Sequence, residues 1–290
     1  MRTVLIYTYY ETLTSQFNLA VFLNHGVGSH MDYVFVINGR RCSLRIPAAP
    51  NIRVIARHNK GYDTGGHASA LRLLDLAEDV YDYYFFMNSS VAGPFVSPSV
   101  DWRMPFINRI NTSVKLVGTT IVVLPPTDAG GLGPRVEGFF FVTDKIGLDL
   151  LRAEGTIFND HLTKKDAIVD GEYGASRCIL GHGYSIDCMI PEYEGRDWRD
   201  VANWRANGNR HPSRQGSFRG KSLDPAVVIF HKWFWSEEPK RLVAPGHVRR
   251  FLAHTGDDRS RELARRGGSF MDFVTSYVGQ SVRGRVTVAR

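Results

Sequence analysis

His58-Asn59-Lys60-Gly61-Tyr62-Asp63-Thr64-Gly65-Gly66-His67 is a polar, glycine-rich turn. The later stretch Tyr83-Tyr84-Phe85-Phe86-Met87-Asn88-Ser89-Ser90 reads as a buried strand that ends in small polar side chains. Asn and Gly let a backbone approach a nucleotide closely, and in open α/β sheets ligands sit beyond the carboxyl ends of strands. The two segments together predict such a sheet with a nucleotide-type site at this strand end. The alternative is an ordinary helix-to-strand connection with a polar strand end and no ligand.

The flanking segments supply the rest of the sheet. Residues 3–8 are a β-branched apolar run suited to a buried strand, and residues 15–24 carry apolar side chains at helical spacing. Residues 32–38 and 52–56 predict two further buried strands, separated by a proline-containing loop at 39–51. Thr64 is placed to cap a helix carrying Ala68, Leu71, Leu73, Leu74 and Leu76, and 83–87 is the fourth strand. This order predicts an α/β fold with a mostly parallel sheet and helices on both faces.

Downstream, 91–103 reads as loop, 114–124 as one long strand ending at Pro125-Pro126, 128–134 as a glycine-rich loop and 136–143 as another strand. Asp144 predicts a helix cap. A second helix is expected over about 171–180, feeding a strand at 184–190. Residues 197–223 look irregular, and 227–230 read as a late strand ending at His231-Lys232. The simplest partition is one domain over 1–240 and an arginine-rich helical extension over 241–290.

With 43% hydrophobic and 12% aromatic residues in 290, the chain can bury a sizeable core, which excludes a disordered protein. Cys42, Cys178 and Cys188 share no Cys-x-x-Cys spacing, so neither a zinc site nor a disulfide framework is indicated. The first residues lack a signal-type apolar run and no stretch is long enough to span a bilayer, so a cytoplasmic location is expected. Most of the net charge of +7 falls in residues 241–290, with ten Arg against four acids. Such an end can lie peripherally on anionic lipid, or be a solvated helical face, as the mixed signs of 257–266 suggest. No nucleic-acid-binding motif accompanies the charge, so no nucleic-acid partner is expected.

Three quoted segments then fall in a familiar order. They are Asn59-x-Gly61-x-Asp63-x-Gly65-Gly66, Phe86-Met87-Asn88-Ser89-Ser90-Val91-x-Gly93-Pro94, and Asp170-Gly171-Glu172 followed by Ser176-Arg177 and Gly181-x-Gly183-Tyr184. Over about residues 1–235 the chain resembles the GT-A glycosyltransferases, and within them the rhamnan-synthesis and related polysaccharide-biosynthesis group.

The resemblance implies a Rossmann-like GT-A fold that transfers a hexose or deoxyhexose from a nucleotide-sugar donor to a glycan hydroxyl. It implies donor contacts from Thr8, Tyr9, Asn59, Gly61, Asp63, Gly66, Asn88, Ser89, Ser90 and Lys232, with residues 7–11 closing over the base or ribose. It implies Mn or Mg at the fourth strand end, held by Asn88, Ser90 and His231. The family's two carboxylates there are replaced by neutral oxygens in this sequence, although Asp63 is near enough in sequence to supply one. It also implies an inverting reaction with Glu172 as base and Asp170 as second choice. Read from the residues alone, the preferred reading of these two acids is as first-turn charges on a helix, with no catalytic role.

Trp198 and Trp204, in an Arg- and Asn-rich segment, are candidates for an acceptor wall, with core packing as the commoner role of Trp. His58 and His67 read as locally hydrogen-bonded. A catalytically silent nucleotide-sugar or glycan-binding module is the alternative function, and a nucleotidyltransferase is disfavoured because no basic glycine-rich phosphate loop follows the first strand.

Overall fold

The computed structural model describes residues 1–39, 41–125, 131–233, 249, 251–253, 261–262, 265 and 269–281. At its centre are β1 (Thr3–Tyr10) and β4 (Tyr83–Asn88), hydrogen-bonded in parallel register from Thr3–Tyr83 to Thr8–Asn88. β2 (Asp32–Asn38) lies on the other side of β1, and β3 (Ile52–Arg57) beyond it as the half-exposed edge, both parallel to β1. β1, β2 and β4 are buried on both faces, which is why their sequences run apolar without alternation.

Beyond β4 come β8 (Phe140–Asp144), β5 (Val114–Gly118) and β9 (Ser185–Cys188), giving the order β3-β2-β1-β4-β8-β5-β9. β8 runs antiparallel to both neighbours. The remaining six strands are parallel, so the protein has an α/β, Rossmann-like fold with a mostly parallel sheet flanked by helices. The chain leaves β1 for β2 on one side and returns to β4 on the other. That reversal opens a crevice beyond the carboxyl ends of β1 and β4.

α1 (Leu13–His25) follows β1 at once. Thr12 caps it by accepting from the Ser15 amide at 3.1 Å, while Ser15 Oγ accepts from the Thr12 amide at 2.7 Å. Phe17 on this helix packs edge-on against Phe270, Phe273 and Tyr277 of the late helix α8 (Phe270–Ser281), so the described part of the C-terminal region shares the main core. α4 (Lys145–Ala153) begins at Asp144, whose carboxylate accepts from the Gly147 amide at 2.8 Å as expected. A short helix, α3 (Met104–Ile107), lies in the connection before β5.

Several boundaries differ from the sequence expectation, each for a local reason. α2 (Tyr62–Leu76) starts before Thr64. Gly61, at φ 71°, is its N-cap residue, and Thr64 Oγ donates back to the Gly61 carbonyl at 2.8 Å from inside the first turn. The run 114–124 divides at Thr119-Thr120 into β5 and β6 (Ile121–Val123), and 136–143 divides at Glu137-Gly138-Phe139 into β7 (Pro134–Val136) and β8. β6 and β7 form a separate antiparallel pair, which carries Glu137 beside Thr120.

The helix expected at 171–180 begins earlier. α5 (Lys164–Asp166) runs into a π-helical segment (Ala167–Tyr173) and then α6 (Gly174–Gly181), so Asp170 and Glu172 lie mid-helix and not in a first turn. The late strand at 227–230 is absent. Asp224 caps and Pro225 begins a short helix, α7 (Pro225–Val228), the usual helix-start pairing. The mixed-charge run 257–266 lies mostly outside the described residues, as do Trp235, Arg283, Arg285 and Arg290 and much of the loop 128–134. No helix of the described residues is long and apolar enough to cross a membrane.

Candidate functional site

Beyond the carboxyl end of β4 lies a cavity of about 680 Å³, of the size usual for small-molecule sites. Its floor is a polar chain across two elements. Asp63, in the first turn of α2, accepts from Asn88 Nδ2 at 2.7 Å, and Asn88 Oδ1 accepts from the Ser90 amide at 3.0 Å and from Ser90 Oγ at 2.6 Å. Tyr62, next to Asp63, has φ +55°, a conformation costly for a bulky residue, and it lines the cavity.

One wall is the π-helical segment, which presents Glu172. π-turns inside helices are frequent at functional sites because they redirect a side chain. Glu172 Oε2 lies 3.4 Å from Arg135 Nη1, and the buried Arg135 guanidinium sits 4.5 Å over the Tyr173 ring. Burial pushes the Glu172 carboxyl above its ordinary value. The Asp63 and Glu137 charges add to this, against the opposing pull of Arg135 and Lys232.

The facing wall comes from β7 and the segment after 200. Glu137 is 3% exposed, and its carboxylate accepts from Thr120 Oγ at 2.5 Å, Ser213 Oγ at 3.2 Å and His211 Nδ1 at 2.9 Å. Burial would raise its pKa, but the bond and charge of His211, the Thr120 hydroxyl and Arg135 outweigh it and hold Glu137 down at about 2. Arg135, Lys164, Arg210, Arg214 and Lys232 also line the space, against the acids Asp63, Glu137 and Glu172. Among the described residues, cations therefore outnumber carboxylates on this surface, which suits an anionic ligand.

Of the residues singled out in the sequence, Asp63, Asn88, Ser90, Lys232 and Glu172 meet on this one cavity. The glycine-rich turn serves protein packing. A Cβ on Gly66 would lie 2.6 Å from Thr8 Cγ2, and one on Gly61 or Gly65 would strike Asp160, which is held by Arg57 Nη2 at 2.6 Å. Gly66 thus lets α2 close onto Thr8 of β1 and Gly61 lets it close onto Asp160, and Gly61, Gly66 and Thr8 are not among the residues that line the cavity. Tyr9, like Tyr7, is fully buried, Tyr10 is exposed, none of residues 7–11 is among those lining the cavity, and Asn59 is exposed outside the lining. Ser89 turns away, its amide donating to the Thr8 carbonyl and its carbonyl accepting from Asn18. Asp170, two residues from Glu172, does not reach the lining either.

The metal set Asn88, Ser90 and His231 does not fit Mn or Mg. Asn88 Oδ1 is taken up by Ser90, and hard cations need several charged or carbonyl oxygens. His231 is buried and pairs through its backbone with Ala92, and consecutive residues of an extended chain point to opposite sides. Lys232 consequently lines the cavity and His231 does not. Among the described residues no group of three or more His, Cys, Asp or Glu is placed to hold a metal ion.

Trp198 is fully buried against Tyr193, so its ring offers no face to a sugar; Trp204 is half-buried and donates to the Trp198 carbonyl at 3.0 Å. Neither lines the cavity. Arg135, Glu137, Lys164, Arg210, His211 and Arg214 were not singled out in the sequence. Arg135 and Glu137 did carry a signal, since two charges at i and i+2 inside an apolar run fall on one face of an extended strand.

No protein-family model matches the chain, and no curated protein matches it in sequence.

Proposed function

We propose that this chain is a GT-A-type glycosyltransferase, inverting, that moves a hexose or deoxyhexose from a nucleotide-sugar donor to a glycan hydroxyl. The observation that carries the reading is Glu172, a half-buried carboxyl with a raised pKa, on one cavity with five cationic side chains beyond the carboxyl end of β4. A base with a raised pKa suits removal of a hydroxyl proton, and the cations suit a diphosphate.

In this account the donor lies with its diphosphate among Arg135, Lys164, Arg210, Arg214 and Lys232. The acceptor hydroxyl gives its proton to Glu172 as its oxygen bonds the anomeric carbon, and the bond from that carbon to the phosphate oxygen breaks. The charge growing on the diphosphate meets groups already in place, which is where electrostatic preorganisation contributes most. Arg135 would serve both ends of the reaction, because it also pairs with Glu172.

Glu172→Gln tests the reading. The variant should keep nucleotide-sugar binding and lose transfer by ~10²-fold or more, the usual scale of a general base. Undiminished transfer by this variant would remove Glu172 from the chemistry.

A further inference from the structure

Gly61 and Tyr62 both carry positive φ, 71° and 55°, where the chain enters α2. Glycine takes that conformation freely, whereas a residue with a large side chain holds it only where its surroundings over-determine it. Two side chains do so here. Asn38, buried at the end of β2, donates from Nδ2 to the Tyr62 carbonyl at 2.9 Å. Arg57, at the end of β3, donates from Nη1 to the Lys60 carbonyl at 2.8 Å while its Nη2 pairs with Asp160 at 2.6 Å. The turn is therefore fixed from two strands, and a glycine at 62 would meet the same bonds without the conformational cost.

The residue held in this way lines the cavity. Of Phe139 and Tyr62, which both line it, Phe139 is 5% exposed and Tyr62 is 39% exposed, more area than backbone alone supplies. An accessible aromatic ring beside cationic groups suits a ligand that joins a planar ring to phosphates. Stacking supplies affinity for the first and charge for the second. We propose that Tyr62 is the platform on which the nucleobase of the donor stacks, presented by the held turn at 60–62; this rests on the donor half of the glycosyltransferase reading above. In that reading the reacting sugar lies by Glu172 and the diphosphate among the cations, so the base is the end of the donor left for the exposed ring. Every base has a π-face, so Tyr62 contributes affinity and leaves the choice among bases to hydrogen-bonding groups.

The probes are inorganic pyrophosphate, the nucleoside diphosphates UDP, GDP, dTDP and CDP, and their sugar-bearing forms UDP-glucose, GDP-mannose, dTDP-glucose and CDP-glucose. Titrated calorimetrically into the full chain, the first two sets isolate the nucleoside and the last adds the sugar. The parent should bind one nucleoside diphosphate more tightly than pyrophosphate. Tyr62→Ala should weaken that nucleotide by ~10-fold or more, the scale of losing one base stack, and leave pyrophosphate unchanged, which also certifies the fold. Tyr62→Phe keeps the ring and should bind as the parent does. Tyr62→Gly should lose the nucleotide as Tyr62→Ala does, yet melt at a higher temperature than Tyr62→Ala, because glycine accepts φ 55°.

If Tyr62→Ala keeps the parent's affinity for the nucleotide, or Tyr62→Phe loses as much as Tyr62→Ala, no stack exists and the proposal fails while the glycosyltransferase reading stands. A loss confined to the sugar-bearing forms would put the ring against the sugar. Equal losses for pyrophosphate and nucleotide would make Tyr62 a support of the turn. Either result overturns the proposal, as does a Tyr62→Gly protein that melts no higher than Tyr62→Ala. If the parent binds none of the four nucleoside diphosphates more tightly than pyrophosphate, the proposal fails and the donor reading fails with it.

Discussion

Arg135 and Glu172 are paired on the cavity wall, Nη1 to Oε2 at 3.4 Å, yet the carboxyl is still harder to ionise than a free one. Burial thus outweighs the neighbouring guanidinium. The folded protein holds a proton that the unfolded chain releases, so this group's contribution is complete below the ordinary carboxylate value of 4.5 and declines as pH rises through the raised one. Glu172→Gln should lose less stability than the parent as pH climbs from about 4.5 toward neutrality, measured by urea unfolding at a series of pH values. Parallel stability curves for the two proteins would contradict it.

Glu137 runs the other way. Its pKa is held at about 2 against an ordinary 4.5, so its contribution is present above 4.5 and is lost as pH falls toward 2. The loss is on the order of 3 kcal/mol at one pKa unit per 1.36 kcal/mol. Glu137→Gln should be the less stable protein at neutral pH, and the gap should narrow as the pH is lowered. A constant gap across that range would mean the carboxylate is not the source.

Gly138 tests the placement of Glu172 without altering its chemistry. A Cβ there would lie 2.6 Å from Glu172 Cγ, so Gly138→Ala must displace the carboxyl. Transfer should fall by ~10²-fold, the scale of a misplaced catalytic group, while the melting temperature drops only slightly. Normal transfer by this variant would mean the present position of Glu172 is not the working one.

Asn88→Asp would set a second carboxylate against Asp63 in place of a 2.7 Å hydrogen bond. The variant should melt at a lower temperature than the parent, by roughly 1–3 kcal/mol of lost satisfaction. It should recover part of that loss on adding Mn²⁺, since two carboxylates and Ser90 make a plausible hard-cation set. A parent that gains as much from Mn²⁺ as the variant would overturn the account of the strand end.

Trp198→Ala should cost ~3–5 kcal/mol, as for a buried aromatic, and reduce folded yield. Trp204→Ala should cost less, because its ring is half-buried and its Nε1 bonds a single carbonyl. Chemical unfolding of both checks this, and equal small losses would place Trp198 outside the core.

The parallel half of the fold was legible because burial on both faces writes β1, β2 and β4 as uninterrupted apolar runs. What stayed hidden depends on tertiary contact. The break at Thr119-Thr120 looks like strand in sequence, yet the chain leaves the main sheet there and Thr120 donates to Glu137. The antiparallel direction of β8 has no local signature. Asp224-Pro225 did announce a helix start, and the apolar residues after it masked the signal. At the site, Asp63, Asn88 and Glu172 could be found from their neighbours in sequence. Arg135, Glu137 and His211 meet only because β7 folds against the segment after 200, and no spacing encodes that meeting. On the Cβ side of the opening turn's glycines lie Thr8 and Asp160, a close packing that the sequence alone does not announce.

The most direct test of the central claim is a thermal-shift screen of the full chain against UDP, GDP, dTDP and CDP sugars, with and without Mn²⁺. A ligand that binds only the native state raises the melting temperature, by ~2.7 kcal/mol of stability at a hundredfold excess over Kd. The account predicts a shift with one nucleotide class, present without the metal and preserved in Glu172→Gln. No shift with any donor, in protein that melts cooperatively, would contradict it.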